Sequence, residues 1–286
     1  MFIDFSSRPP TAEFDTSGVA ALGDYRRVYG ASEERVSRES DGKVGVADYL
    51  AMYDALGART VVLKARDSVS TFGALIRNED VSEFCSAHGP RYIGFAGVDP
   101  HKGASAIEQF EHAIRGLGLR GLNIQCFEHR LTAHDRLLYP LYEKCVELGV
   151  PVNVHVGTNF SADAAMEHGQ PIHLDTVLRD FPDLKMCASP PGWPWVQELV
   201  AVAWRHENLH IGLVAVRPRY LTKAGAGYEA LLAFGGSLLQ DRIIFGSSWP
   251  MQSVGSAVEE VSALPLSEPV KAKWLHDNAA VFLGLD

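Results

Sequence analysis

Residues 137–157, LLYPLYEKCVELGVPVNVHVG, combine one helix-like segment with one strand-like segment and decide the fold class. The first half places apolar side chains on one face at helical spacing, at Leu137, Leu138, Leu141, Tyr142, Cys145 and Leu148. The second half, Pro151–Val156, is a short apolar run typical of a strand. His155 lies at its end, so we expect a helix followed by a buried strand that carries an imidazole at its carboxyl end.

The same alternation recurs along the whole chain. Eight apolar, strand-like runs occur, at Phe2–Phe5, Arg59–Lys64, Tyr92–Val98, Gly121–Gln125, Pro151–Val156, Leu184–Ala188, Leu209–Val214 and Arg242–Phe245. Several are near-continuous in valine, isoleucine and leucine, as expected of parallel strands buried on both faces. Repetition of this kind predicts a single α/β domain over residues 1–286, a (β/α)8 TIM barrel. The alternative is a large doubly wound sheet, but no G-x-G-x-x-G motif follows an early strand.

Composition narrows the class of function. The 286 residues carry a net charge of -9, which argues against a general affinity for nucleic acid. No apolar run approaches the length of about 18 residues that spans a membrane. Four widely spaced cysteines form no C-x-x-C motif, and the chain enters a strand at once without signal-peptide features. We therefore expect a cytoplasmic protein with reduced cysteines.

A long polar segment, residues 6–43, separates the first strand from the next helix. A loop of this length inside a compact domain is usually a lid or a binding loop, or is disordered. Because it follows the carboxyl end of a strand, it would lie on the catalytic face of a barrel. We expect it to be an active-site lid.

Polar side chains stand at the strand ends, which converge on one pocket in a barrel. They are Ser6 and Arg8 after the first strand, Lys64 and Arg66 after the second, Asn123 and Gln125, His155, Ser189, Arg217 and Arg219, and Ser247 and Ser248 after the last strand. His155 is the strongest candidate, because an imidazole moves protons near neutral pH or ligates a metal; the alternative is a core histidine bonded to backbone. Lys64 could bind an anion or simply reach solvent.

Four of these strand ends resemble one known family. They read FIDFSSRPP (residues 2–10), VHVG (154–157), ASPPGWPW (188–195) and FGSSWP (245–250). The chain resembles the amidohydrolase-2 family of the amidohydrolase superfamily, which includes decarboxylases of aminocarboxymuconate and resorcylate type. The resemblance covers almost the entire chain. It implies a metal-binding barrel, but most of the family's ligand positions hold other residues in this chain. Ser6 and Arg8 occupy the positions of the first-strand His-x-His. Pro190 occupies the position of the sixth-strand histidine, and Ser248 occupies that of the eighth-strand aspartate.

Only His155 remains of that ligand set, so we expect no catalytic metal and no cofactor. A guanidinium does not lose its proton in proteins, and Arg8 would place a permanent cation where the resemblance locates the metal. Such a cation suits a carboxylate or an oxyanion. The alternative for Arg8 is an ion pair with Asp4 or with a lid carboxylate. A rebuilt metal site could use the loop histidines His129, His134, His168 and His173. Their spacing matches no known ligand signature, so we expect them on the surface.

The resulting hypothesis is an enzyme that works without metal, either a hydrolase of a lactone, ester or C–C bond or a decarboxylase. The pyrone-dicarboxylate lactonases, a metal-independent branch of the resembled family, imply that such a barrel can be active without metal. His155 and Arg8 would be catalytic. Substrate would be bound by Ser6, Lys64, Asn123, Gln125, Arg217, Ser248 and Trp193. The expected partner is a small anionic, aromatic or acyl metabolite, and a homodimer is an open possibility. The alternatives are a catalytically silent metabolite-binding barrel and a metal-dependent hydrolase with a rebuilt site.

Overall fold

Ten strands form the sheet framework of the computed structural model, which describes residues 1–25, 27–29 and 44–285. They are β1 (Phe2–Ser7), β2 (Ala58–Lys64), β3 (Arg66–Ser68), β4 (Ala74–Ile76), β5 (Tyr92–Phe95), β6 (Leu122–Ile124), β7 (Val152–His155), β8 (Met186–Ser189), β9 (Leu209–Leu213) and β10 (Ile243–Phe245). Eight of these strands are parallel, and each overlaps one of the eight runs expected from the sequence. The two others, β3 and β4, form an antiparallel hairpin directly after β2 that the sequence reading did not anticipate.

The eight parallel strands close into a barrel. One arc has the order β1-β2-β5 and the other has the order β10-β9-β8-β7-β6. Single parallel bridges join the arcs on both sides, from Ser7 to Trp249 and from Ala96 to Leu122. Backbone hydrogen bonds support both joints, for example from the Ser248 N–H to the Ser6 carbonyl at 2.8 Å. The prediction of a TIM barrel is confirmed.

Helices cover the outside of the barrel. They are α1 (Val46–Ala55), α2 (Asn78–His88), α3 (Ala104–Arg115), α4 (Cys126–His129), α5 (Tyr139–Leu148), α6 (Ile172–Asp180), α7 (Val196–Arg205), α8 (Glu229–Gly235), α9 (Val254–Ser262), α10 (Glu268–Ala272) and α11 (Asn278–Leu283). The helix expected from Leu137 begins two residues later, at Tyr139, and Leu137 itself is exposed. In the described part of the chain no helix has the length and apolarity needed to cross a membrane.

Strand side chains alternate between the helix layer and the barrel interior, as the pleat of a strand requires. In β7, Val152 and Val154 join the large core between barrel and helices, whereas Asn153 and His155 belong to the other face. The lower interior holds a separate apolar cluster closed by α11. Phe282 of that helix packs edge-on against Phe5, with ring centroids 5.6 Å apart. The pocket must therefore open at the carboxyl ends of the strands.

A buried carboxylate ties the first and last barrel strands together. Asp4 is fully buried and accepts four hydrogen bonds, two at each carboxylate oxygen. The N–H groups of Ser6 and Ser247 donate to Oδ1 at 3.1 and 2.8 Å. The hydroxyls of Tyr53 and Ser247 donate to Oδ2 at 2.7 and 2.5 Å. Burial raises the pKa of Asp4 in spite of these donors. Because its oxygens bond to Ser247 just after β10, Asp4 helps to close the barrel between β1 and β10.

We expect Asp4→Leu to lower the free energy of unfolding by about 3–5 kcal/mol, because it leaves buried donors without an acceptor. Urea denaturation measures this change. Asp54→Asn is the matched control, since Asp54 lies on the surface in an ion pair with Arg91, and we expect it to stay within about 0.5 kcal/mol of the parent. A loss below 1 kcal/mol for Asp4→Leu would contradict the assigned role.

Candidate active site

His155 ends β7 inside the mouth of the barrel. Its side chain is 8% exposed, and its ring lies 4.6 Å from the ring of Phe127. Among the described residues its Nδ1 has no hydrogen-bond partner. Desolvation, followed by the positive charges of Arg66 and Lys64, lowers the pKa of His155 to about 3. The imidazole is therefore neutral at physiological pH and able to hydrogen bond to a ligand.

Lys64 ends β2 and points into the barrel rather than out to solvent. Its Nζ lies 4.5 Å from the centre of the Phe5 ring. Its side chain is only partly accessible, and desolvation lowers its pKa to about 8. The alternative that this lysine simply reaches solvent is wrong, because the inward face of β2 directs it onto the apolar floor of the pocket. An ammonium in such a place is a ready proton donor and an anion ligand.

A second cation, Arg66, acts on His155 and pairs with a buried acid. Arg66 begins β3, and its Nη1 lies 3.3 Å from Oε1 of Glu128 in α4. The Glu128 side chain is 0% exposed, whereas that of Arg66 is 22% exposed. The hydroxyl of Ser68 donates to Oε2 of Glu128 at 3.0 Å. Desolvation raises the pKa of Glu128, and the charge of Arg66 opposes that rise.

Aromatic residues roof this group of charges. Tyr25, within the segment expected to be a lid, contacts the rings of Phe127 and Phe160, with centroids 6.1 and 5.5 Å away. Tyr29 contacts Phe160 at 5.8 Å and donates a hydrogen bond from its hydroxyl to the Ala215 carbonyl at 3.3 Å. These contacts lie at the ends of three strands. The described part of the segment thus covers the barrel mouth, while residues 26 and 30–43 of the expected lid lie outside the described residues.

The positions that the family resemblance assigns to metal ligands form a hydroxyl pair. Ser248 donates a hydrogen bond to the Ser6 hydroxyl at 3.4 Å. Ser248 has a positive φ of 55°, a conformation that non-glycine residues adopt mainly at special sites. Arg8 donates from Nη1 to the Thr16 hydroxyl at 3.0 Å. Asp4 accepts from Ser6, Ser247 and Tyr53, so the alternative of an Asp4–Arg8 ion pair is wrong within the described residues. Four carboxylates of the expected lid, Glu33, Glu34, Glu39 and Asp41, lie outside those residues, and pairing of Arg8 with them stays a prediction.

Asn123 and Gln125 belong to a buried chain of amides across β6, β7 and β8. Gln125 and Asn153 both donate to the Asn123 side-chain oxygen, at 3.1 and 2.9 Å. The Asn123 amide nitrogen donates to the Ala65 carbonyl at 2.9 Å. Ser189 donates to the Asn153 oxygen at 2.7 Å. Both amide atoms of Asn123 are thus engaged by protein groups, which places it beneath the pocket as a spacer between strands.

Arg217 and Trp193 stand further from the central group. Arg217 donates from Nη2 to Glu260 of α9 at 3.3 Å, so its charge is largely balanced by that carboxylate. Trp193 is 43% exposed, and its backbone carbonyl accepts from the Thr158 N–H at 2.7 Å. The structure therefore gives both residues a role in shaping loops, and contact with substrate stays a prediction for each.

The donor set does not fit a catalytic metal ion. The described residues contain no group of three or more histidine, cysteine, aspartate or glutamate side chains arranged to hold one. His155 faces two cations instead of a carboxylate. The loop histidines do not gather here either: His134 and His173 stack on each other 4.5 Å apart. His129 is 2% exposed, so the expectation of a surface position is wrong for this residue.

Several residues of the site were missed by the sequence reading. Phe127 and Glu128 follow β6 directly, so the strand-end rule could have found them had it been carried beyond Gln125. Tyr25 and Tyr29 stand four residues apart, which is helical spacing inside the loop. Arg66, two residues beyond Lys64, is by contrast a strand-end candidate that the sequence does give. Its pairing with Glu128 joins two different strand ends, which no sequence spacing reveals.

Comparison with known sequences gives one family. A family model described as an amidohydrolase matches residues 31–285. A 2-amino-3-carboxymuconate-6-semialdehyde decarboxylase from Dictyostelium discoideum is 23% identical over 73% of this chain, and the match spans 66% of that protein, slightly less than two thirds. A gamma-resorcylate decarboxylase from Rhodococcus jostii is 21% identical over 73% of this chain and 75% of its own length.

Solved structures agree with the barrel. An uncharacterised TIM-barrel protein from Bordetella bronchiseptica is similar at a TM-score of 0.82 and 27% identity, with 99% of this chain and 98% of that chain covered. A 5-carboxyvanillate decarboxylase from Novosphingobium aromaticivorans, solved with manganese, has a TM-score of 0.68 at 16% identity, with 100% and 96% covered. The second likeness concerns the fold alone.

Proposed function

Because this chain belongs to the amidohydrolase family and is an enzyme of that superfamily, we propose that it is a decarboxylase of a small, anionic aromatic acid. One observation carries the proposal. A neutral His155 and two cations, Lys64 and Arg66, meet beneath an aromatic roof that includes Tyr25 and Phe127. The named activities of the curated relatives, both decarboxylases, support the same reaction class.

The chemistry needs a cationic and largely dry site. In decarboxylation the bond between the substrate carbon and its carboxylate breaks, carbon dioxide leaves, and its electron pair stays on the substrate. One proton then replaces the carboxylate at that carbon. Positive groups stabilise the negative charge that develops on the substrate, and they do so best where water is excluded. Aromatic side chains supply flat apolar contact for the ring.

Lys64 is the proton donor in this proposal. At neutral pH its ammonium is mostly charged, but a pKa of about 8 makes it a stronger acid than an ordinary lysine. It regains its proton from solvent after each turnover. His155, which is neutral, hydrogen bonds to a substrate oxygen and holds the ring. Arg8 is the further cation at the end of β1, and its contact with substrate remains part of the proposal.

The site favours decarboxylation over hydrolysis. A hydrolase without a metal needs a base that removes a proton from water, and such a base works best when its pKa lies near the working pH. His155, with a pKa of about 3, is a poor base for that purpose. The resemblance implies a metal, but the described residues do not fit one, because no three metal-ligating side chains come together among them.

The test is release of carbon dioxide from a panel of 2,6-dihydroxybenzoate, 5-carboxyvanillate and related hydroxybenzoates, run beside the corresponding methyl esters and lactones as hydrolysis substrates. Elemental analysis of the purified protein and assays with and without a chelator accompany it. Carbon dioxide release that survives the chelator is expected. Ester or lactone cleavage without decarboxylation would overturn the proposal, whereas tightly bound stoichiometric zinc or manganese would overturn only a metal-free mechanism.

The pH dependence of kcat/KM is a further prediction. Lys64 must be protonated to act, so activity should fall about tenfold per pH unit as the pH rises above its pKa of about 8. His155 stays neutral down to about pH 3 and should produce no acidic limb between pH 5 and pH 7. Initial rates from pH 5 to pH 10 measure this profile. A flat profile through pH 10 would exclude Lys64 as the proton donor.

A further inference from the structure

We propose that Arg66 forms a subsite for a carboxylate group of the ligand and that buried Glu128 is the positioning residue for its guanidinium. This inference rests on the proposed function and names the group that recognises the anion. Arg66 is one of the strand-end candidates of the sequence, whereas Glu128 is not. Both come from loops at the carboxyl ends of strands, where the ligand must enter.

The geometry gives each partner a separate role. Glu128 is wholly buried; its Oε1 lies 3.3 Å from Nη1 of Arg66 as an ion pair without hydrogen-bond geometry, while Ser68 donates a hydrogen bond to the other oxygen. Arg66 keeps part of its side chain accessible. A guanidinium has five N–H donors in a planar fork, so the contact at Nη1 leaves donors for a ligand. A carboxylate fits that fork with two parallel hydrogen bonds.

The charge of Arg66 acts on residues of both the floor and the roof of the pocket. It lowers the pKa of His155 more than the charge of Lys64 does. It also acts on Tyr25 in the roof, where it opposes the rise in pKa that burial and Glu128 cause. Arg66 therefore lies close to the buried acid and near enough to His155 and Tyr25 for its charge to act on both.

A buried ion pair is weak support for stability, because removing two charges from water offsets most of their attraction. The Arg66–Glu128 pair is thus better explained by orientation. Glu128 holds a long, flexible side chain in one direction before the ligand arrives, and this reduces the entropy lost on binding. Removing Glu128 should impair recognition of an anion while contacts to an uncharged ring persist.

Calorimetric titration with benzoate and with its neutral analogue benzamide tests the subsite without any turnover. The parent protein should bind benzoate more tightly. Arg66→Met should weaken benzoate binding about 10- to 100-fold and change benzamide binding by less than about threefold. Glu128→Ala should weaken benzoate binding about as much as Arg66→Met, and Glu128→Gln should weaken it less than Glu128→Ala. Arg66→Lys should retain part of the preference for benzoate over benzamide, because lysine keeps the charge but lacks the planar fork of donors.

The controls separate folding and function from the subsite. Arg77→Met removes a surface arginine paired with Glu79 and should leave both titrations unchanged. The double variant Arg66→Met/Glu128→Gln removes both charges, so no buried carboxylate is left unpaired if Arg66→Met alone fails to fold. No preference for benzoate in the parent, or an equal loss for both probes in the variants, overturns the subsite. Benzoate preference that depends on Arg66, with no carbon dioxide released from any acid, retains the subsite and rejects the decarboxylase.

Discussion

Lys64→Met should reduce carbon dioxide release by about 10²- to 10⁴-fold, the range that a positioned proton donor contributes. Methionine keeps the length of the side chain and its contact with the Phe5 ring, which lies 4.5 Å from the ammonium in the parent. The loss would therefore come from the missing proton and charge rather than from packing. Steady-state kinetics on the best acid of the panel measure it.

Lys64→Arg separates the two effects of the ammonium. Arginine keeps the positive charge but does not release a proton in proteins. We expect the KM to change little, the kcat to fall nearly as far as in Lys64→Met, and the alkaline limb near pH 8 to disappear. Full activity in Lys64→Arg would show that the charge alone suffices and would reject proton donation by this residue.

Lys64→Met should also stabilise the fold. In the folded state the pKa of Lys64 is lowered to about 8, against 10.5 for an unburied lysine. At pH 7 the folded protein therefore holds an ammonium in an unfavourable place, and its removal should raise the free energy of unfolding by about 1–2 kcal/mol after allowance for partial exposure. A destabilising charge of this kind is typical of residues that are kept for activity at the expense of stability. A lower stability in Lys64→Met would instead assign the ammonium a structural role.

His155→Gln should lower kcat by about 10²- to 10³-fold, because it removes the neutral ring that holds the substrate oxygen next to Lys64. Glutamine retains a hydrogen-bonding group of similar size, so the barrel should still fold. The pH profile should keep its alkaline limb, since that limb belongs to Lys64. Loss of the limb together with the rate would show that the two groups titrate as one unit.

His210→Gln is the matched control for His155→Gln. His210 is a half-buried histidine whose pKa desolvation lowers to about 4, and its Nδ1 has no partner among the described residues. It stands near the start of β9 and packs on Phe282 of α11, with ring centroids 4.9 Å apart, at the closed end of the barrel. The exchange should affect stability and leave kcat unchanged. Equal kinetic losses in both variants would point to a general effect of disturbing barrel histidines.

Parts of the site followed from the sequence because strand ends are local features. Lys64 was identified as the last residue of one apolar run and His155 as the residue before the end of another, and the barrel then placed both inside its mouth. The environment of each was not predictable in the same way. Whether Lys64 reached solvent or the Phe5 ring depended on which face of β2 turned inward, and that is decided by the neighbouring strands.

The sequence by itself determined the fold, its eight strands, and the replacement of the family's metal-ligand positions by Ser6, Arg8 and Ser248. These follow from short-range patterns, because apolar periodicity and strand-end motifs are written in consecutive residues. Only the tertiary structure decided which charges meet. Glu128 finds Arg66 across two loops that are 62 positions apart in the sequence, and the pKa values of Lys64 and His155 depend on burial by distant residues. Electrostatics act through space, so the character of this pocket appears only when the barrel closes.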